Sequence, residues 1–231
     1  MGQAGRRGRW AVLVAVGALM VAGCSSSASI KGSAPSPGSG SSSGAKAPAK
    51  SWGEEPAMTI DTTKKYTMTL HTNQGDIVIA MDASKTPHTV NSMNFLASQH
   101  FYDGSYCHRL STSGGLQMLQ CGDPTAGAEA ASTDGAGGPG YQFQDENLAG
   151  ATYPDGTVAM ANRGPGTNGS QFFLVFADTQ LTPDYTPFGK ITTGHDILTK
   201  VAAGGIASPG QDGTGRPNIP VRITSVTVNP S

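Results

Sequence analysis

Charge is scarce in this sequence. Asp, Glu, Lys and Arg make up 13% of its 231 residues, about half the ~25% of ordinary soluble domains, and the formal net charge is −1. No Lys/Arg stripe crosses the body of the chain, which argues against nucleic acid as a partner. The histidines, His71, His88, His100, His108 and His195, are scattered, with no H-E-x-x-H and no paired ligand spacing. Cys107, His108 and Cys121 would give three metal ligands, where a structural zinc site takes four, usually with closer cysteine spacing; no metal is expected. Ser170 stands in Asn168-Gly169-Ser170-Gln171 rather than in a G-x-S-x-G elbow. No Cys–His or Ser–His–Asp order stands out, and no internal repeat is visible. Gly164–Gly169 has the spacing G-x-G-x-x-G, but Pro165 and Thr167-Asn168 make it a loop and the strand-like Ser170–Phe176 follows it. A dinucleotide site needs a helix there, so no nucleotide cofactor is expected, and no other cofactor is implied.

What is abundant is glycine, 32 residues, and proline, 15 residues, a composition suited to a β-rich domain with many turns. The N-terminus reads as a targeting segment. Arg6, Arg7 and Arg9 precede an uncharged apolar run, Trp10–Ala22, and Val21-Ala22-Gly23-Cys24 closes it. That order of basic, apolar and small-residue regions is a secretory signal, and the run is shorter than the roughly 20 residues of a spanning helix. Cysteine directly after Ala-Gly resembles a bacterial lipobox, so residues 1–23 are expected to be a signal peptide and Cys24 to carry lipid at the outer face of the cell membrane. The alternative is an uncleaved anchor. Loss of Arg6, Arg7 and Arg9 with the signal takes the formal charge from −1 to −4. Residues 24–63 carry the lipid site and a Ser/Gly/Ala/Pro-rich stretch to about Pro56 that has too little buryable apolar surface to offset its ordering entropy. They read as a flexible linker, with Trp52 isolated in it and given no role.

The domain is expected over 64–231. Tyr66–Thr72 and Ile77–Asp82 alternate with period two around Asn73-Gln74-Gly75-Asp76, a hairpin signal. Thr86 is the candidate cap of a helix with Pro87 at its first position and Val90, Met93 and Leu96-Ala97 at helical spacing. Further strands are predicted at 104–110, 116–121, 156–161, 170–176, 188–191 and 221–228, and a second helix at 196–203, ended by Gly204-Gly205. Eight short strands with two helices suggest a mainly β fold, a closed eight-stranded antiparallel barrel whose ends the helices cover.

Several segments, in order, then carry a resemblance. Phe101-Tyr102-Asp103-Gly104-Ser105-Tyr106-Cys107-His108-Arg109, Leu119-Gln120-Cys121-Gly122-Asp123, Gly138–Tyr141, Phe143–Asn147, Gly156–Asn162, Gly164–Phe173 and Phe188-Gly189-Lys190 resemble the cyclophilin family of peptidyl-prolyl cis–trans isomerases, from about Tyr66 to Val228. The resemblance implies a cyclophilin-like barrel, isomerase activity toward Xaa–Pro bonds in exported proteins, proline-containing peptides as partners and a monomer. By position it makes Arg109 the catalytic arginine and Gln120 the glutamine that hydrogen-bonds near it. Met118, Phe173 and Leu181 match walls of the proline pocket. Ala161 and Asn162 match the edge that binds peptide backbone, Gln171 a second polar groove residue, and Tyr185 stands where many members place histidine. His108 points away from the groove by alternation and reads as structural. Three departures are visible. Cys107 replaces a phenylalanine, the stretch from Arg109 to Gln120 is about three residues longer than usual with Gln117 in place of a pocket phenylalanine, and Gln180 stands where drug-sensitive members often carry Trp. With Cys24 lipidated, Cys107 and Cys121 would be left in an oxidising compartment, where they either pair or remain buried thiols.

These residue types suit the chemistry. Amide resonance sets a barrier of about 20 kcal/mol to rotation about Xaa–Pro, and an enzyme need only favour the twisted state over both planar ones. Twisting returns a lone pair to the prolyl nitrogen, to which a guanidinium can donate a hydrogen bond absent from the planar amide. An apolar pocket grips the ring and a strand edge holds the flanking backbone. The competing reading is a cell-surface module that binds proline-containing peptides, as chaperone or scaffold, without useful turnover.

Overall fold

A computed structural model describes residues 50–231. The signal segment, Cys24 and most of the linker lie outside the described residues. Among the described residues, no helix is long and apolar enough to cross a membrane.

The chain opens with a hairpin of β1 (Tyr66–Thr72) and β2 (Gly75–Met81), turned through Asn73-Gln74. The Thr72 hydroxyl donates to the Gly75 carbonyl and accepts from the Gln74 amide. Helix α1 (Pro87–Ser98) follows, then β3 (Arg109–Ser113) and β4 (Leu116–Cys121). After a long ordered loop come β5 (Thr157–Met160), β6 (Phe172–Val175) and β7 (Pro187–Thr193). Helix α2 (His195–Ala203), the short pair β8 (Ile206–Ala207) and β9 (Arg216–Pro217), and β10 (Ile223–Pro230) complete the chain.

Eight strands form one antiparallel sheet in the order β10-β1-β2-β7-β5-β6-β4-β3. The expected closed barrel is not formed: the sheet is an open half-barrel. Closure would need β3 to pair along β10, and the strand predicted over 104–110 begins only at Arg109. Residues 104–107 instead turn, from Gly104 at φ +77°. They meet β10 and the residues before it through a few backbone bonds, Gly104 N to Ile223 O, Ile223 N to Ser105 O and Cys107 N to Val221 O, and one bridge, Tyr106 with Arg222. Leu110, on β3 itself, pairs with Gly215.

The stretch from Arg109 to Gln120 is a continuous hairpin. Arg109 pairs with Gln120 and Ser113 with Leu116, around Gly114 (φ +65°) and Gly115 (φ +77°). Two consecutive left-handed residues make the turn whose twist matches its strands. The extra residues therefore lengthen the ladder, and Gly115 O accepts the amide of Gln180.

Alternation on this sheet separates two apolar clusters. Leu110, Leu119, Cys121, Val158, Met160, Phe172 and Leu174 face the main core, with Val90, Met93 and Leu96 of α1 and Leu198 and Val201 of α2. The other face carries Met118, Ala159, Phe173 and Val175, with Tyr153. Cys107 and Cys121 are joined by a disulfide, S–S 2.03 Å, Cα–Cα 4.0 Å.

Thr86 does not cap α1; its hydroxyl donates to Asp82 O. The first amides of the helix, His88 and Thr89, donate instead to the Glu146 carboxylate at 3.0 and 2.8 Å. A carboxylate there satisfies orphan donors and complements the helix dipole. Residues 50–63, grouped by their composition with the flexible linker, lie against the domain. Trp52 packs edge-on to Phe95 (centroids 5.0 Å) and beside Phe101 (5.8 Å), its amide bonded to Pro139 O. Asn91 holds the carbonyls of Pro56 and Ala57 and accepts the Thr59 amide.

Candidate active site

Register assembles the site. Arg109 on β3 lies opposite Gln120 on β4, Gln120 opposite Phe173 on β6, and Phe173 opposite Ala159 on β5. One row thus runs across four strands. In the next row Met118 pairs with Val175. Gln171, two residues before Phe173, shares its side of the chain. The sheet face away from the core therefore presents an arginine, two glutamines, a phenylalanine and a methionine together.

The polar members form a ladder. Arg109 Nη1 donates to Gln120 Oε1 (3.3 Å), Gln120 Nε2 to Gln171 Oε1 (2.9 Å), and Gln171 Nε2 to the carbonyls of Gly135 and Gly137 (2.8 Å each). Both glutamine orientations are fixed by this sequence of donors and acceptors. The guanidinium has two further partners: Nε donates to the Thr214 hydroxyl (3.0 Å) and Nη2 lies 3.5 Å from Asp212 Oδ2. Amide and hydroxyl bonds from Thr214, and then the Arg109 charge, hold the Asp212 carboxyl below the usual carboxylate range. Arg109 is 36% exposed, so its fork is held by neighbours yet open to a ligand.

The apolar members form a separate patch. Met118 and Phe173 are 2% and 4% exposed. Leu181 and Tyr185 pack against the same cluster, the Tyr185 ring edge-on to Phe173 at 5.6 Å. Tyr153, which composition did not single out, clamps this wall: its hydroxyl donates to Tyr185 O (2.8 Å) and accepts the Tyr185 amide (3.0 Å). Asn162 donates to Asp184 O (2.7 Å), beside Tyr185. A cavity of about 740 Å³ adjoins the ladder, lined by Gln120, Gln171, Ala161 and Asn162 among others. The predicted residues thus divide. Gln120, Gln171, Ala161 and Asn162 line the cavity, Met118, Phe173, Leu181 and Tyr185 make the apolar patch, and Arg109 joins them through Gln120.

Asp123 fixes the loop that carries the glycine carbonyls. Its carboxylate accepts the Thr125 amide and hydroxyl and the amides of Gly135 and Gly137, at 2.7–3.2 Å. Burial would raise its pKa, but these hydrogen bonds together lower it. Arg216 ties the same loop to β9 through a two-pronged pair with Asp134. His108 lies beneath, buried, with neither ring nitrogen hydrogen-bonded. Burial pushes its pKa down against the pull of Asp123 and Asp134. Asp212 and Thr214 were missed because they sit in a Gly-rich loop with no periodic signal, and Asp123 because its role is to hold backbone. Among the described residues, no group of His, Cys, Asp or Glu is placed to hold a metal.

A sequence profile of the family described as cyclophilin type peptidyl-prolyl cis-trans isomerase/CLD matches residues 67–228. The probable peptidyl-prolyl cis-trans isomerase B of Mycobacterium tuberculosis is 44% identical over 178 residues, 71% of this chain and 55% of that protein. Its namesake in Mycobacterium leprae is 48% identical over 155 residues, 62% and 50% of the two chains. The chain thus spans about half the length of these relatives. The probable peptidyl-prolyl cis-trans isomerase A of M. leprae is 38% identical over 180 residues, 71% of this chain and 92% of that one. Among solved structures, a cyclophilin type peptidyl-prolyl cis-trans isomerase of Cryptosporidium parvum aligns over 71% of this chain and 98% of its own, with TM-score 0.59 and 25% identity. The same protein crystallised in the presence of the dipeptide Ala-Pro gives TM-score 0.58 and 26% identity.

Proposed function

Since the chain belongs to the cyclophilin-type peptidyl-prolyl cis–trans isomerase family, we propose that it accelerates rotation about Xaa–Pro bonds in other polypeptides. The observation that carries this reading is the single row Arg109–Gln120–Phe173, in which a held guanidinium and an apolar ring stand on one face. The proline ring lies in the patch of Met118, Phe173, Leu181 and Tyr185. The flanking backbone runs along Ala161-Asn162. Arg109 donates to the prolyl nitrogen as it pyramidalises, and Gln120, Thr214 and Asp212 keep the fork aimed. No bond is made or broken, so neither metal nor cofactor enters the step; the gain comes from an interaction that exists only in the twisted state. Exchange spectroscopy on a short Ala-Pro peptide tests the reading: isomerisation well above the spontaneous rate is expected. Binding without acceleration would favour the peptide-binding module instead.

The setting belongs to the same proposal. Residues 1–23 direct export, Cys24 carries the lipid, and the domain faces outward on a tether, acting on exported proteins as a monomer. The order Arg6-Arg7, Trp10–Ala22, Ala22-Gly23-Cys24 supports this. Metabolic labelling with a clickable fatty acid should mark the wild type and spare Cys24→Ala; equal labelling of both would sink it.

A further inference from the structure

The cavity beside the glutamine ladder is not built by the barrel alone. On one side stand Gln120, Gln171 and Asn162; on the other stand Ser51, Gly53, Glu54 and Glu55, from the arm ahead of β1. The arm is seated there by built contacts. Trp52 is wedged against Phe95 and Phe101 and bonded to Pro139 O at 2.8 Å. Gly140 leaves room for it: a Cβ at that position would stand 2.1 Å from Ser51 Oγ and 2.6 Å from Trp52 O. Glu55 is turned to His88, Oε1 to Nδ1 2.6 Å, while Glu54 is exposed. Arg163 is the cation among the cavity's lining residues, and its guanidinium is engaged by Gly135 O at 2.5 Å. The remaining lining groups are neutral.

We propose that the arm Ser51–Glu55 is a wall of the peptide groove, and that its two carboxylates select substrates carrying lysine or arginine near the proline. This rests on the reading of the adjoining site as a proline-peptide site. A peptide whose proline sits against Phe173 and whose backbone follows Ala161-Asn162 delivers a neighbouring side chain into the cavity. A long cationic side chain can lay its methylenes along the arm and bring its charge to Glu54 and Glu55. A carboxylate side chain meets net repulsion instead, because Arg163, whose partner Gly135 O is neutral, offsets only one of the two carboxylates. His88 offsets the Glu55 charge when protonated; its hydrogen bond to Glu55, with the charges of Glu55 and Glu146, raises its pKa against burial, so selection sharpens as pH rises and His88 loses its proton. The groups are partly solvated, so the effect is a preference rather than an absolute requirement, and it is weakened by salt.

The experiment uses the full chain and a peptide series around one Ala-Pro bond, with Lys, Gln or Glu placed in turn at each flanking position. Binding by NMR titration and turnover by exchange are read on the same samples. At low ionic strength one position should favour Lys over Gln by about two- to fivefold in affinity or kcat/KM. The ratio should fall toward one in Glu54→Gln/Glu55→Gln and at high salt. Trp52→Ala, which unseats the arm by a different route, should lower it too. Thermal melting identifies any variant that fails to fold, and the salt series on the unaltered chain then stands in for it. A Lys-to-Gln ratio near one at every position, or a ratio unchanged in both folded variants, overturns the proposal even if turnover is high. Selective binding with no turnover supports the arm's role and refutes the isomerase reading. Absence of both binding and turnover refutes both.

Discussion

Arg109→Ala puts the proposed mechanism to its most direct test. The guanidinium has three neighbours, Thr214 on Nε, Gln120 on Nη1 and Asp212 beside Nη2, and none of them fixes the fold. Gln120 keeps its bond to Gln171, and Thr214 keeps Asp212. The side chain is 36% exposed, so water replaces the lost donors, and stability should change by no more than about 1 kcal/mol. Turnover should respond differently. A donor aimed at charge that develops only in the transition state is worth about 10²–10³ in rate, or roughly 3–4 kcal/mol. That loss should fall on kcat/KM while peptide binding, which the apolar patch and strand edge supply, stays within a few-fold. Arg109→Lys should recover little, because one ammonium cannot hold the Gln120 and Thr214 contacts and still present a donor in a fixed plane. The assay is exchange spectroscopy on an Ala-Pro peptide, with NMR titration for binding and a melting curve for folding. Near-normal turnover in a folded Arg109→Ala variant would refute the assignment.

Other changes have separable readouts. Phe173→Ala empties the apolar patch and should weaken peptide binding together with turnover, by tenfold or more on the scale of a buried aromatic anchor. Glu146→Gln removes the charged cap of α1 and should lower stability by about 1–2 kcal/mol in chemical denaturation, with activity on folded protein retained. Replacing Cys107 and Cys121 together by alanine opens a link between residues 14 apart; the loop-closure estimate is about 3 kcal/mol. Alkylation of the unfolded, unreduced protein should add no mass at Cys107 or Cys121. His108 is buried with its pKa pushed down, so the unfolded chain takes up the proton first. Its contribution is flat at high pH, and stability falls as pH drops below about 6.5, levelling off once the folded protein also protonates. His108→Leu should remove that slope. Asp123, with its pKa lowered, contributes a second loss confined to acid below about pH 4.

What could be read from the residues follows the range of the forces involved. Period-two alternation fixed β1 and β2, and proline at the first helical position fixed α1, because both signals are local. The capping of α1 was misassigned to Thr86 for the same reason: Thr86 is adjacent, whereas Glu146 reaches the helix from a distant loop. Barrel closure failed as an expectation because alternation says which face a strand buries and nothing about whether two remote edges align. Residues 104–107 carry strand-like letters, but Gly104 turns them. The site shows the same division. Arg109, Gln120 and Phe173 were legible through motif order, yet their convergence is a matter of register across β3, β4 and β6, which no spacing along the chain encodes. Composition assigned residues 50–63 to a tether because that stretch is polar and Gly/Pro-rich up to Pro56. It counted Trp52 as one isolated aromatic. The pocket that receives it, formed by Phe95, Phe101 and Pro139, is assembled from two separate stretches, the end of α1 with the turn after it and the loop at Pro139. A single large ring can offset the ordering of a few backbone residues when such a pocket exists. Linker composition therefore sets how much a segment can bury, and the folded surface decides whether it does.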